Sequence, residues 1–219
     1  MTDFYTACRE RENEIIQDTR KQLENYQIKV IHWDGLYRNL ECYDPEKGAE
    51  GCFAVYFAPW IVTIIGDWCS AYTLRWMPDI FARFRGKDEP KIGYWAIDVL
   101  NRTSLETTEP EFMLRWLFDY LEEWSEESEE DGMDEETLNR CKYELEQYVN
   151  LDDPYIIWRL NEWTFSYKSL DGQYLEVAPF DTLNEAEWDI WTEEWIRACE
   201  LLRWTACKVS AMETSEEGE

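Results

Sequence analysis

The chain has 219 residues with 48 acidic against 21 basic side chains, a formal net charge of −27. A field of that sign repels nucleic acid and anionic membrane and attracts proteins with basic grooves. Disorder, the usual reading of so acidic a composition, is excluded by 13 Trp, 13 Tyr and 9 Phe, each able to bury roughly 150–250 Å².

From the amino terminus, residues 5–25 read as an amphipathic helix, with Tyr5, Cys8, Ile15, Ile16 and Leu23 on its apolar face. Five short runs rich in β-branched and aromatic residues follow: Ile28–Trp33, Leu36–Tyr43, Cys52–Phe57, Trp60–Ile65 and Tyr72–Trp76. Turn chemistry separates them (Asp34-Gly35, Asp44-Pro45, Ala58-Pro59, Gly66-Asp67), which predicts an antiparallel meander. Pro78 opens a short helix through Phe84, and Gly93–Leu100 reads as another. Glu109–Ser125 is a long helix with Phe112, Trp116, Leu117, Tyr120, Leu121 and Trp124 at helical spacing. An acidic linker spans 125–136, with Asp134 capping the next helix, Leu138–Val149. Pro154–Trp163 is helical, and 164–183 forms a small hairpin around Asp171-Gly172. The last helix is expected over 184–207, with Trp188, Trp191, Trp195, Cys199 and Leu202 on one face, followed by a frayed tail from Met212. The expected fold class is α+β: an N-terminal helix and antiparallel β-meander, then an acidic, mostly helical C-terminal half.

Charge divides the chain in the same place. Residues 1–105 carry 16 acidic and 13 basic side chains, and 106–219 carry 32 and 8, so a near-neutral β-rich region precedes an acidic helical one. The two regions can also share one continuous domain. Seven cysteines, an odd number without a CxxC pair, fit free thiols in a reducing compartment better than a disulfide framework. The first residues lack the features of a signal peptide, and no apolar run approaches the roughly 20 residues of a membrane span. The expected location is the cytoplasm of a host bacterial cell, with no membrane partner.

Four motifs in 28–102 stand in a recognisable order: Ile65-Gly66-Asp67-Trp68, Leu74-Arg75-Trp76, Asp79-Ile80-Phe81-Ala82-Arg83-Phe84 and Gly93-Tyr94-Trp95-Ala96. This stretch resembles a group of small uncharacterised bacteriophage and prophage proteins, and it departs from them at Ala58-Pro59-Trp60, where Trp-Pro-Gly is expected. The resemblance implies a phage or prophage gene and no particular chemistry. The acidic half is similar in character to phage DNA-mimic proteins that block CRISPR or restriction systems.

Candidate catalytic groups are sparse. His32 is the only histidine, on a strand beside Trp33, and a Cys–His pair with Cys52 or Cys69 has no recognised motif around it. One His without paired cysteines argues against zinc, and Glu126–Asp131 and Asp152-Asp153 lack EF-hand spacing, so no metal or other cofactor is expected. The acidic run carries more information. Asp119, Glu122, Glu123, Glu126 and Glu127 recur at three and four residues on the helix from 109, and Glu129, Glu130, Asp131, Glu135 and Glu136 continue the series. Side chains at that spacing lie about 5–6 Å apart, a row that imitates backbone phosphates. Glu185, Asp189, Glu193 and Glu200 repeat the theme on the polar side of the last helix.

The sequence therefore predicts a phage-encoded, non-enzymatic inhibitor whose ten carboxylates from Asp119 to Glu136 occupy the basic groove of a host nucleic-acid-binding defence protein, without direct nucleic-acid binding. Two other readings stand beside it: an acidic adaptor or assembly protein for a basic partner, and a hydrolase using His32.

Overall fold

The computed structural model describes residues 2–85, 89–100, 105–127, 133–150, 155–168, 172–181 and 188–216. Its first elements are α1 (Thr2–Gln22), β1 (Gln27–Asp34), β2 (Tyr37–Tyr43), β3 (Phe53–Ala58), β4 (Ile61–Gly66) and β5 (Cys69–Arg75). After them come α2 (Phe81–Phe84), α3 (Ile92–Ala96), the two-residue strand β6 (Glu106–Thr107), α4 (Pro110–Glu127), α5 (Glu135–Tyr148) and α6 (Ile156–Glu162). The chain finishes with β7 (Phe165–Lys168), β8 (Tyr174–Val177), the two-residue strand β9 (Ile190–Trp191) and α7 (Glu193–Glu216). The fold is α+β, with an N-terminal helix, a five-stranded antiparallel sheet and a mostly helical remainder.

The chain groups into two compact units, 1–9 with 107–190 and 10–106 with 191–219. The second of three passages, at 106/107, falls beside the charge boundary read from the sequence, but the first nine residues group with the acidic unit and the C-terminal helix with the sheet. Hydrophobicity decides this: Trp195, Ile196, Cys199, Leu202 and Val209 of α7 are buried in one core with Leu40, Val55, Ile64 and Leu74 of the sheet. Sorted by unit, the acidic unit (1–9, 107–190) holds 25 acidic and 6 basic side chains, a net of −19. The sheet unit holds 23 and 15, a net of −8.

In the sheet unit the strands lie in chain order, β1-β2-β3-β4-β5, as the turn chemistry predicts. Phe53, Val55 and Phe57 on β3, Val62 and Ile64 on β4, and Tyr72 and Leu74 on β5 are all buried, so one face carries the core. Gly35 takes the left-handed turn position at φ +57 between β1 and β2. Pro59-Trp60 joins β3 to β4, and Trp60 is the one non-glycine residue among those described with a left-handed φ, +72. At the other end of that hairpin, a Cβ on Gly66 would come within 2.4 Å of Phe53 Cβ, so only glycine lets the strands close there. Asp67 then accepts from Gly51 N at 2.8 Å and ties down the β2–β3 connection.

Helix boundaries differ from the sequence expectation most at α3 and at both ends of α7, which continues to Glu216 where a frayed tail from Met212 was expected. The segment predicted as helix 93–100 stops at Ala96, because the chain turns to bond with β5 instead. Arg75 N donates to Asp98 O at 3.0 Å, and Leu100 N donates to Thr73 O at 2.8 Å. The last helix starts at Glu193 rather than 184. Thr192 Oγ1 accepts from Trp195 N at 3.2 Å and sets that start. Trp188 is consequently not on the helix. It is buried in the core of the acidic unit, while Trp195 is buried in the sheet unit.

In the acidic unit, α4 buries Phe112, Met113, Trp116, Leu117 and Leu121, and α5 buries Cys141 and Leu145. The expected hairpin is present, β7 pairing antiparallel with β8 from Phe165↔Val177 to Lys168↔Tyr174. Among the described residues no helix is long and apolar enough to cross a membrane.

Candidate functional site

The carboxylates singled out in the sequence lie on α4, on α5 and on the stretch joining them. Asp119 leaves the strip. It is buried, and its Oδ2 accepts from Phe4 N at 2.9 Å, serving one of the unsatisfied amides in the first turn of α1. The reason is helical geometry: Asp119 follows Phe112 and Trp116 at the spacing of the buried face. Glu122, Glu123 and Glu126 continue the same strip toward the end of α4 and are exposed. Glu122 is ion-paired with Lys142 of α5, whose ammonium also lies 5.6 Å from the Phe118 ring centroid. Glu127 ends α4, while Glu129, Glu130 and Asp131 lie outside the described residues.

On α5, Asp134 is the N-cap, with Oδ1 accepting from Thr137 N at 2.7 Å. Hydrogen bonds from the Thr137 side chain and backbone hold its carboxyl below the usual carboxylate value of 3.8. Glu135 and Glu136 are exposed in the first helical turn, where the aligned peptide dipoles favour negative charge. Their presence therefore has a helix-stabilising cause in addition to any recognition role. Near Glu122 a cleft of about 750 Å³ opens, lined by Asp3, Pro110, Leu114, Arg115, Phe118 and Lys142 among others.

The acidic unit also exposes aromatic side chains that the sequence did not mark as exposed. Tyr143 on α5 is 63% exposed, Trp158 on α6 59%, Tyr155 69% and Tyr174 on β8 84%. Tyr143 stands three residues from Arg140 and one from exposed Glu144, and the signal for it is its position opposite buried Cys141 and Leu145.

The acidic series read on the last helix does not form a surface. Glu200 is fully buried and held by two arginines. Arg20 Nε donates to Oε1 at 3.0 Å and Arg203 Nε donates to Oε2 at 2.8 Å. The hydrogen bond to Glu200 raises the Arg203 guanidinium above its ordinary range. Glu193 is paired with Arg197 at 2.6 Å, Asp189 accepts from Thr108 at 2.5 Å, and Glu185 lies outside the described residues.

His32 and the cysteines do not meet. His32 is exposed on β1 opposite Asn39, which faces Tyr56, whereas Cys52 lies one residue beyond the Phe53↔Cys42 pair. At about 4.8 Å per strand and about 3.3 Å per residue, the two side chains are separated by roughly 15–20 Å. The Cys52 thiol donates to Gly48 O at 3.3 Å. Cys69 is four strands away from His32 and buried, its thiol pushed up to about 12 by burial. Cys42 and Cys141 are raised to about 12 for the same reason. Among the described residues no three His, Cys, Asp or Glu side chains gather as metal ligands would.

The second open surface is the face of the sheet turned away from the core. Ala54, Tyr56 and Ala58 of β3, Ile61, Thr63 and Ile65 of β4 and Thr73 of β5 are exposed or half-buried there. At one corner a groove of about 730 Å³ runs between Lys29, Glu41, Tyr43, Ala49, Ala54 and Ile65. No protein-family model matches this chain, and neither does any curated protein or solved structure.

Proposed function

We propose that the protein is a non-catalytic, phage-type inhibitor that binds the basic groove of a host nucleic-acid-binding defence protein, such as a CRISPR effector or a restriction enzyme, through its acidic unit. One observation carries this reading: 25 acidic against 6 basic side chains fall in one folded unit, with Glu123, Glu126, Glu135 and Glu136 exposed at the surface of helices α4 and α5. Carboxylates fixed on helices capture lysines and arginines without the ordering cost that a disordered tail would incur. A groove built to release counterions from DNA gains the same term from such a surface. The adaptor reading is favoured by a different observation, the exposed Tyr143, Tyr155 and Trp158 in the same unit, since aromatic anchors dominate protein interfaces.

The test is competition. Purified protein is added to a CRISPR effector or restriction enzyme loaded with labelled DNA, at low and at moderate salt. DNA should be released, and less of it as salt rises. The fourfold variant Glu123→Gln, Glu126→Gln, Glu135→Gln, Glu136→Gln should bind about four- to a thousandfold more weakly, since exposed ion pairs contribute about 0.2–1 kcal/mol each. A bound complex that leaves DNA in place selects the adaptor. Binding indifferent to salt and to the fourfold variant rejects both readings.

A further inference from the structure

We infer that the end of the sheet around Trp60, Trp76 and Tyr94 is a docking site for a short acidic segment of a partner protein. Trp60 is 50% exposed, Trp76 37% and Tyr94 50%, and Met77 and Ile97 beside them are 47% and 66% exposed. Backbone and ring contacts join the three aromatic residues. Trp76 N donates to Trp60 O at 3.0 Å, Trp60 N donates to Pro78 O at 3.2 Å, and the Trp76 and Tyr94 rings meet edge to face at 5.9 Å. Trp60 is the least expected member. Its φ of +72 is one that glycine takes freely and a bulky side chain does not, so folding alone favours glycine there. A half-exposed indole at that position serves a contact rather than the turn.

Against two of these rings lies a buried cation. The Arg83 side chain is 5% exposed, with its guanidinium carbon 3.9 Å from the Trp76 ring centroid and 4.5 Å from that of Tyr94. Nη2 donates to Tyr94 O at 3.1 Å and lies 2.6 Å from Asp98 Oδ2, while Nε and Nη1 have no partner among the described residues. Trp, Tyr and Arg together make the composition of an interface hot spot.

What the patch lacks is a free carboxylate, and that selects the occupant. Residues 75–98 hold five basic and four acidic side chains, in a chain of net −27. Asp98 is taken by Arg83, Glu89 is paired with Arg20 at 3.3 Å, Asp79 accepts from Ala82 N at 3.4 Å, and Asp88 lies outside the described residues. Lys91 is exposed one turn before Tyr94 and has no ion pair among the described residues. Unanswered N–H donors and positive charge beside aromatic rings match carboxylates, and Met77 and Ile97 match apolar side chains between them. A nucleic-acid strand also brings anions and stacking, but it gains nothing from Met77 and Ile97, and the field of the whole chain opposes a charge at every nucleotide. A peptide with a few carboxylates meets less of that field and reaches the local cations inside a screening length of about 8–10 Å. Five exposed side chains suit such a segment rather than a second globular face.

The patch belongs wholly to the sheet unit, so the inference stands or fails independently of the carboxylates of the proposed function. Fluorescence anisotropy of the full chain with three labelled probes is the measurement: a peptide of about 12 residues alternating Asp and Leu, its Lys–Leu counterpart, and oligo(dT) of about 20 nucleotides. The Asp–Leu peptide should bind, and more weakly as salt rises. Trp60→Gly should weaken it about tenfold, the loss of one aromatic anchor, and should leave the melting temperature unchanged because glycine suits φ +72. Lys91→Glu, a change at an exposed position, should weaken it about threefold or more. The Lys–Leu peptide, drawn to carboxylates elsewhere, should ignore Trp60→Gly. An Asp–Leu peptide that does not bind overturns the inference, and so does binding that both variants leave intact. An equal effect of Trp60→Gly on the Lys–Leu peptide, or tighter binding of oligo(dT) at the same residues, overturns it as well.

Discussion

The two units treat their carboxylates in opposite ways. In the sheet unit 15 basic side chains stand against 23 acidic ones, and the most deeply buried carboxylate, Glu200, is bracketed by Arg20 and Arg203. In the acidic unit 6 stand against 25, and α4 and α5 expose Glu126, Glu135 and Glu136 at the surface. A paired buried charge specifies structure, because losing either partner strands the other in low dielectric. An exposed row of like charges weakens its own helix slightly and is useful only toward something outside the molecule. The same residue type thus serves folding in one unit and contact in the other.

The sharpest way to break that contrast is to remove Glu200. Glu200→Ala leaves two guanidiniums facing a buried gap, and the expected loss is about 3–5 kcal/mol of unfolding free energy, read by urea denaturation. Adding salt should not restore it, since the carboxylate is fully buried, its arginines are only 14% and 26% exposed, and such pairs are screened little. If Glu200→Ala cost no more than an exposed Glu→Ala change, the division between structural and surface carboxylates would collapse.

Alkaline titration separates the units next. Cys42 and Cys69 in the sheet unit and Cys141 in the acidic unit titrate near 12 when folded, against 9.0 in an ordinary environment, and burial also raises Cys199 of the sheet unit well above 9.0. A raised thiol leaves stability untouched below about 9, where both states are protonated. Above 9 the unfolded chain ionises and the folded one does not, so each thiol costs about 1.4 kcal/mol per pH unit until the folded group also titrates. Three such thiols against one predict that the sheet unit opens first between pH 9 and 12. Labelling rates at Cys199 and Cys141, followed by mass spectrometry of tryptic peptides, give the order. Cys141 reacting first would reverse the comparison.

Much of the sheet unit was legible because its signals are local. Asp34-Gly35, Pro59 and Gly66-Asp67 punctuate runs whose alternation already assigns Val55, Val62 and Ile64 to one face. The start of α7 was not legible from periodicity, since Trp188, Trp191 and Trp195 recur at helical spacing although Trp188 precedes the helix and Trp191 lies in β9. The better signal was Thr192 followed by Glu193 and Glu194, a capping residue with acids in the first turn. Glu200 gave itself away only through its neighbours, as Ala198, Cys199, Leu201 and Leu202 on either side are all buried. What no spacing rule reveals is which arginine reaches it, because Arg20 is 180 residues away in the chain.

The smallest effect tests the contrast inside the acidic unit itself, where Asp119 and Glu126 sit two turns apart on α4. Both were read from the sequence as members of one strip, yet Asp119 accepts from Phe4 N in a buried site and Glu126 faces water. Asp119→Ala removes the acceptor and leaves a buried amide unsatisfied, which costs about 1–3 kcal/mol. Glu126→Ala should change stability by no more than about 0.5 kcal/mol, in keeping with surface substitutions generally. Partner binding should show the reverse order, with Glu126→Ala weakening capture of a basic groove and Asp119→Ala sparing it once the protein is folded. A variant pair measured by urea unfolding and by salt-dependent binding places each carboxylate on one axis or the other. Should Asp119→Ala weaken binding at full native population, the buried acid would also belong to the recognition surface, and the line between folding and contact would have to be redrawn along α4.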